Sequence, residues 1–295
     1  MSFYYLKLKN AVIFVIITIF CKIKMLKGEG NILNTLNYLY PNCIELNNGN
    51  FLIVFSSGVY VFNSDITQVI TKKGYESGFS LSGDESDMNT INLSRFDDGV
   101  IIAIIKTYLY IFSSTGDYIH HINLNDDISG AKYYSLIPIK YEENNNYYFA
   151  ITFLASLIKK INIYYYKINI SSKEYELINY LQYSNSSYDI LGDKGLTCLL
   201  ISQAENMIIC FYKILLGLFS TSFIFNDNDI KIGFTKACLN DRLGGYYKSV
   251  ANNDQTKALI CYSDNGNGGN CIFYDIIENS FSEDIKYFRD CQNVP

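Results

Sequence analysis

The sequence predicts an all-β chain, a β-propeller-like array of about five units with three to four strands each. Three observations carry this expectation. Short apolar, β-branched and aromatic runs are bounded by clusters of Gly, Asn, Asp and Ser, the pattern of strands joined by tight turns. The runs recur, with equivalent strands starting at residues 51, 100, 148, 207 and 258, in steps of 49, 48, 59 and 51 residues. Composition agrees: 27 Tyr and 19 Phe stand against only 3 Pro in 295 residues. Aromatic and β-branched residues favour strands, and proline interrupts them. Repeats of about 50 residues carrying several strands match propeller blades, because a lone blade cannot bury its own faces and stacking buries them. The alternative is one or two β-sandwiches, whose strands come at similar spacing.

The first unit gives the pattern in full. Phe51–Phe55, Val59–Phe62 and Thr67–Ile70 read as strands, with turns at Ser56-Ser57-Gly58 and Asn63-Ser64-Asp65. The second has Val100–Ile105, Tyr108–Phe112 and Tyr118–Leu124. The third has Tyr148–Thr152, Ile161–Tyr166 and Glu174–Leu181. The fourth has Met207–Phe211 and Gly217–Phe225, and the fifth Ala258–Tyr262, Cys271–Ile276 and Phe281–Phe288. Three segments read as surface loops able to carry binding residues: Lys72–Asn92, Glu142–Asn146 and Ser184–Asp193.

Ahead of the repeats, Lys7 and Lys9 precede ten apolar residues, Ala11–Phe20, followed by Cys21 and the basic Lys22, Lys24 and Lys27. A positive n-region and a short apolar h-region define a secretory signal. The run is short for a membrane span of about 20 residues. Residues 1–28 are therefore read as a signal peptide or signal anchor, and 29–295 as a propeller-like ectodomain. Asn31–Pro41 is a lead-in able to supply a ring-closing outer strand. The end just past Cys291 reads as a truncated C-terminus, so a missing anchor there is a second route to the membrane. Removing the five lysines of residues 1–28 lowers the net charge from −5 to −10. That balance argues against nucleic acid, whose phosphates need a basic surface.

Eight cysteines are present. Cys198 and Cys210 flank one hairpin turn, and Cys261 and Cys271 another. Residues equidistant from a turn face each other across the strands, which predicts two disulfides behind a signal peptide. Cys238 and Cys291 would clasp the fifth unit; Cys43 with Cys291 would instead clasp the ring, and the sequence leaves both open. Asn92, Asn169 and Asn185 begin glycosylation sequons.

No catalytic constellation is legible. The only histidines, His120 and His121, are adjacent in one strand, so they face opposite sides and do not jointly ligate a metal. No C-x-x-C or G-x-S-x-G occurs. Asp264–Asn270 and Asn226–Asp229 resemble calcium loops, but hairpin chemistry explains both. No catalytic residue, cofactor or metal is assigned.

The segment Cys238–Phe281, CLNDRLGGYYKSVANN…KALICYSDNGNGGNCIFYDIIENSF, resembles cysteine-bearing repeats in malaria-parasite (apicomplexan) surface proteins of the EGF-like membrane protein type. The Asn/Tyr/Ile/Lys bias agrees. The resemblance implies a parasite-surface ectodomain with no defined reaction. The expected function is non-catalytic binding or adhesion at the cell surface or after secretion, with a protein ligand. The alternatives are a carboxylate hydrolase working in the propeller's central mouth and a structural coat protein. Clustered acids at a ring axis would favour the enzyme, and a Tyr-rich surface patch would favour binding.

Overall fold

The computed structural model describes residues 42–55, 58–75, 91–128, 131–155, 160–185, 190–191, 195–202, 204–214, 217–238, 248–251, 255–263 and 269–288. The segments read as a signal and as a lead-in lie outside the described residues, as does Cys291. Two compact units are present. The first runs to Met88 and includes Ser114–Asp117; the second holds the rest.

The first unit contains β1 (Asn42–Glu45), β2 (Phe51–Phe55), β3 (Gly58–Phe62) and β4 (Val69–Gly74), an antiparallel sheet in chain order. Ile53, Tyr60 and Phe62 form its small buried cluster. Gly58 opens β3 opposite Gly74, with φ +147°. A Cβ there would lie 2.4 Å from the Lys73 carbonyl oxygen, so the close approach of β3 to β4 requires glycine.

The second unit begins with β5 (Ile91–Arg95), β6 (Ile101–Ile105), β7 (Tyr108–Phe112) and β8 (Tyr118–Asn123), then the one-turn helix α1 (Asn125–Ile128). Next come β9 (Ala131–Glu142), β10 (Asn146–Ala155), β11 (Lys160–Asn169) and β12 (Glu174–Tyr183). Then follow β13 (Leu196–Ser202), β14 (Met207–Ile214), β15 (Gly217–Asn226) and β16 (Asp229–Cys238). The last are β17 (Lys248–Ala251), β18 (Lys257–Ser263), β19 (Gly269–Asp275) and β20 (Ser280–Phe288). Each set of four forms one antiparallel sheet in chain order. Consecutive sheets lie closest at their first strands: β9 runs beside β5, and β13 lies beside both β9 and β17.

The middle strands bury both faces. In β10, Phe149, Ile151 and Phe153 pack with Ile102, Ile104 and Ile111 of the preceding sheet. The alternate residues Ala150 and Leu154 pack with Ile208, Cys210 and Phe223 of the following one. Period-two alternation thus sends successive side chains into two different cores. Ile209 and Phe211 of β14 meet Ile260, Ile272 and Tyr274 in a third. Full burial of one such side chain contributes about 1.5–3 kcal/mol.

The repeat is more regular in structure than in sequence. The second strands start at 51, 101, 146, 207 and 257, within two residues of the sequence-derived positions. In all five sheets the pairing of the third and fourth strands carries a register shift, at Val61/Phe62, Ile111/Phe112, Tyr165/Tyr166, Thr221/Phe223 and Ile272/Tyr274. The backbone N–H groups of Ile170, Phe225 and Ile276 donate to the carbonyls of Asn145, Asn206 and Thr256, tying the two hairpin turns at one end of each of three sheets.

Every unit has four strands. The first strand of each sheet is absent from the sequence-derived pattern: β1, β5 and β17 are four or five residues long, too short for periodicity to separate from a loop, but β9 and β13 are 12 and 7 residues long and length does not account for them. β16 is absent from it too, although Ile230, Ile232 and Phe234 alternate with Lys231, Gly233 and Thr235. The Lys72–Asn92 loop is shorter than expected, since β4 extends to Gly74 and β5 starts at Ile91.

Candidate functional site

Among the described residues of the second unit, the two most exposed aromatic side chains lie on β12. Tyr175 is 47% exposed and Tyr180 58%. Register places both on one face. Tyr175 pairs with Ile168, Leu177 with Tyr166, and Tyr180 with Tyr164. Strict alternation from Tyr175 and Leu177 would put Tyr180 on the opposite side. The register shift between Tyr165 and Tyr166 inserts one extra residue in β12 and turns Tyr180 back. A bulge commonly re-aims a side chain in this way.

Beneath these residues lies a floor of stacked rings. Tyr164 sits 5.7 Å from Tyr180, 5.5 Å from Phe153 and 6.2 Å from Tyr166, all within 27° of parallel. Tyr166 in turn stacks on Phe149 at 5.5 Å. The inner end of the ladder is buried and the outer end meets solvent. The rigid aromatic body and hydroxyl tip of tyrosine suit such a boundary.

One carboxylate joins the set. Asp127 of α1, half-buried, accepts a 2.9 Å hydrogen bond from the Tyr166 hydroxyl. α1 is placed by the Leu124 N–H donating to the Thr107 carbonyl, and it turns on the Leu124 carbonyl, which accepts from Asp127 and Ile128. Burial, followed by the hydrogen bond to Asp127 and its charge, pushes the Tyr166 hydroxyl well above the ordinary tyrosine range. Burial and the Asp127 charge also raise Tyr164. These phenols stay neutral and keep their protons to donate.

A second aromatic centre, Tyr148 at the other face of the same sheet, is enclosed by its neighbours. Lys140 Nζ lies 4.5 Å over its ring and Lys167 Nζ 5.9 Å. The Tyr148 hydroxyl donates to Glu142 at 3.3 Å, and Lys140 pairs with Glu142 and Asp227. This cluster links β9–β10 to the turn after β15 and is satisfied internally.

The expected disulfides are formed. Cys198 and Cys210 are bonded at 2.04 Å and directly opposed between β13 and β14. Cys261 and Cys271 are bonded at 2.00 Å and opposed between β18 and β19. The buried Thr152 hydroxyl donates to Cys198 Sγ at 3.1 Å, and the Cys198 N–H to Ser135 Oγ at 3.0 Å. Thus β9 and β10 seat the first bridge. Cys43 lies on β1 opposite Ile53 and Cys238 on β16 opposite Leu218; their proposed pairings with Cys291 fall outside the described residues.

The remaining candidates separate. Asn92 lies within β5 opposite Ile104, and Asn185 follows β12. Asn169 builds the hairpin turns: its Nδ2 donates to the Asn144 carbonyl and to Asn146 Oδ1, and its Oδ1 accepts from the Ser171 and Ser172 N–H groups. His120 pairs with Ile111 and His121 with Tyr110, yet their rings lie 5.8 Å apart. His121 Nδ1 and the Tyr118 hydroxyl are hydrogen bonded at 2.6 Å. Among the described residues no group of three or more His, Cys, Asp or Glu is placed to hold a metal ion.

No protein-family model matches the chain, and no curated protein matches it. Solved structures do. The β-propeller domain of Nup133 from Vanderwaltozyma polyspora is similar at 12% identity and a TM-score of 0.50, over 84% of this chain and 75% of that one. The WD40 domain of SCAP from fission yeast matches at 10% identity and TM-score 0.44, over 81% of this chain and 63% of that domain, less than two thirds of its length. The fission yeast SREBP–SCAP binding domains match at 11% and 0.42, over 84% and 76%. With five four-stranded blades and the likeness to the Nup133 domain, the chain has a β-propeller-like fold.

Proposed function

We propose that this chain is a non-catalytic, protein-binding propeller of an oxidising compartment, engaging its ligand through the Tyr175–Tyr180 face of β12. One observation carries the reading: two tyrosines about half exposed stand on a packed aromatic floor. Exposed rings held by stacking lose little conformational entropy on binding, and tyrosine is enriched at binding hot spots. The two cross-strand disulfides support a secreted or surface setting, because such bonds persist in oxidising compartments. The surface-ectodomain role implied by the resemblance of Cys238–Phe281 belongs to the same proposal.

Selection from a displayed library of random twelve-residue peptides against the immobilised, oxidised full chain tests the reading. Peptides that bind the native chain and lose most of their affinity to a Tyr175→Ala/Tyr180→Ala variant support it. Selected peptides that bind both equally contradict it.

A further inference from the structure

We propose that the exposed face of the last sheet, β17–β20, pairs with the same face of a second copy of this chain. Val250 of β17 is 58% exposed and Phe273 of β19 42%. Half-buried Leu259 of β18 lies between them, opposite Val250 on one side and Phe273 on the other. The three make one apolar row across three strands. Their chain neighbours Ala258, Ile260, Ile272 and Tyr274 point the other way, into the core shared with β14. In β14 the third and fifth residues, Ile209 and Phe211, pack against β18 and β19. Leu259 and Cys261 hold the same places in β18. The last sheet therefore leaves open the kind of face that β14 buries against a sheet, and sheets of this kind stack face to face.

Charge selects a second copy as the occupant. One step along the same face, Lys257 of β18 is directly opposite Asp275 of β19. Asp275 Oδ1 accepts from the Glu278 N–H at 2.9 Å, which fixes the carboxylate at the end of the strand. A two-fold axis running between β18 and β19, parallel to them, lays β18 of each copy over β19 of the other. Leu259 then meets Phe273 of the second copy, and Lys257 meets Asp275 of the second copy. One operation matches both the apolar row and the charges, the self-complementarity that a two-fold interface needs. The Cys261–Cys271 bridge joins the two strands and holds them in register. Four strands about 4.8 Å apart and about seven residues long give a footprint of roughly 450 Å² per copy. That size belongs to the weak, reversible class of interface, with dissociation in the micromolar range.

The test is sedimentation of the oxidised full chain from about 5 to 500 µM. Reversible dimerisation is expected. Phe273→Asp, which puts a charge in the apolar row, should weaken it more than about tenfold. Lys257→Asp and Asp275→Lys should each weaken it to a similar degree, because each sets like charges face to face. An equimolar mixture of those two variants should dimerise about as tightly as the wild type, since across the two-fold every altered position then faces the opposite charge. If the two residues pair only within a chain, mixing restores nothing, because the pair is broken in both variants. A wild-type chain that stays monomeric at about 500 µM, a dimer indifferent to Phe273→Asp, or a mixture no tighter than its separate components overturns the proposal. Melting curves check that each variant is folded; Lys257 and Phe273 are exposed, and the wild-type result stands whether or not a variant folds.

Discussion

Tyr180 stacks on Tyr164 across β11 and β12, with ring centroids 5.7 Å apart and planes 27° from parallel. The pair marks where the buried aromatic ladder reaches solvent. Because Tyr180 is more than half exposed, its removal should cost the fold little. Tyr180→Ala is expected to change unfolding free energy by less than about 1 kcal/mol, read by urea denaturation. Phe149→Ala, at the buried end of the same ladder, should cost about 3–5 kcal/mol. Equal costs would contradict the placement of the solvent boundary.

The bridges differ in exposure. Cys210 is fully buried, whereas Cys261 is half-buried. Under graded reductant, Cys261–Cys271 should open before Cys198–Cys210, as followed by alkylation and peptide mapping. Replacing Cys198 and Cys210 together by Ala should cost about 3 kcal/mol, the loop-closure contribution for a 12-residue separation. Simultaneous opening of both bridges would contradict the burial difference.

Gly58→Ala should destabilise the first unit by about 2 kcal/mol or more, through strain at positive φ and collision with the Lys73 carbonyl. Gly74→Ala, whose added Cβ meets nothing within 4 Å, is the matched control. Similar melting shifts for both would overturn the close-approach account.

Burial, then the charges of His121 and Lys173, lowers the pKa of His120 below its ordinary 6.5. The unfolded chain then binds the proton more readily than the folded one. Stability from this residue is complete above about pH 6.5 and is lost as pH falls through the lower folded value. Melting temperature should therefore drop between pH 7.5 and 5, and His120→Asn should flatten part of that drop. Identical pH profiles would show that His120 carries no such linkage.

Much of the fold was legible because the second strand of a blade is a dense apolar run: Leu52–Val54 of FLIVF, all of IIAII and Ile208–Phe211 of MIICF are buried. Hairpin symmetry alone located both described disulfides. The candidate face was not legible. EYELINYLQY reads by strict alternation with Tyr175 and Tyr180 on opposite sides, and only the bulge at Ile178 unites them. Asp127 lies in a helical turn 39 residues before Tyr166, its hydrogen-bond donor, and nothing local in NDDI points to a distant phenol. The usable signal was the tyrosine density of adjacent segments, INIYYYKIN and EYELINYLQY. Register, which sequence does not supply across a bulge, turns that density into a surface.

The most direct measurement is tyrosine nitration of the oxidised full chain, mapped by peptide mass analysis with and without a saturating library-selected peptide. Tyr175 and Tyr180 should be modified in the free chain and protected in the complex, while Tyr141, exposed elsewhere on the same sheet, should react equally in both. Unchanged reactivity of Tyr175 and Tyr180 in the complex would contradict the proposal that this face is where the protein binds.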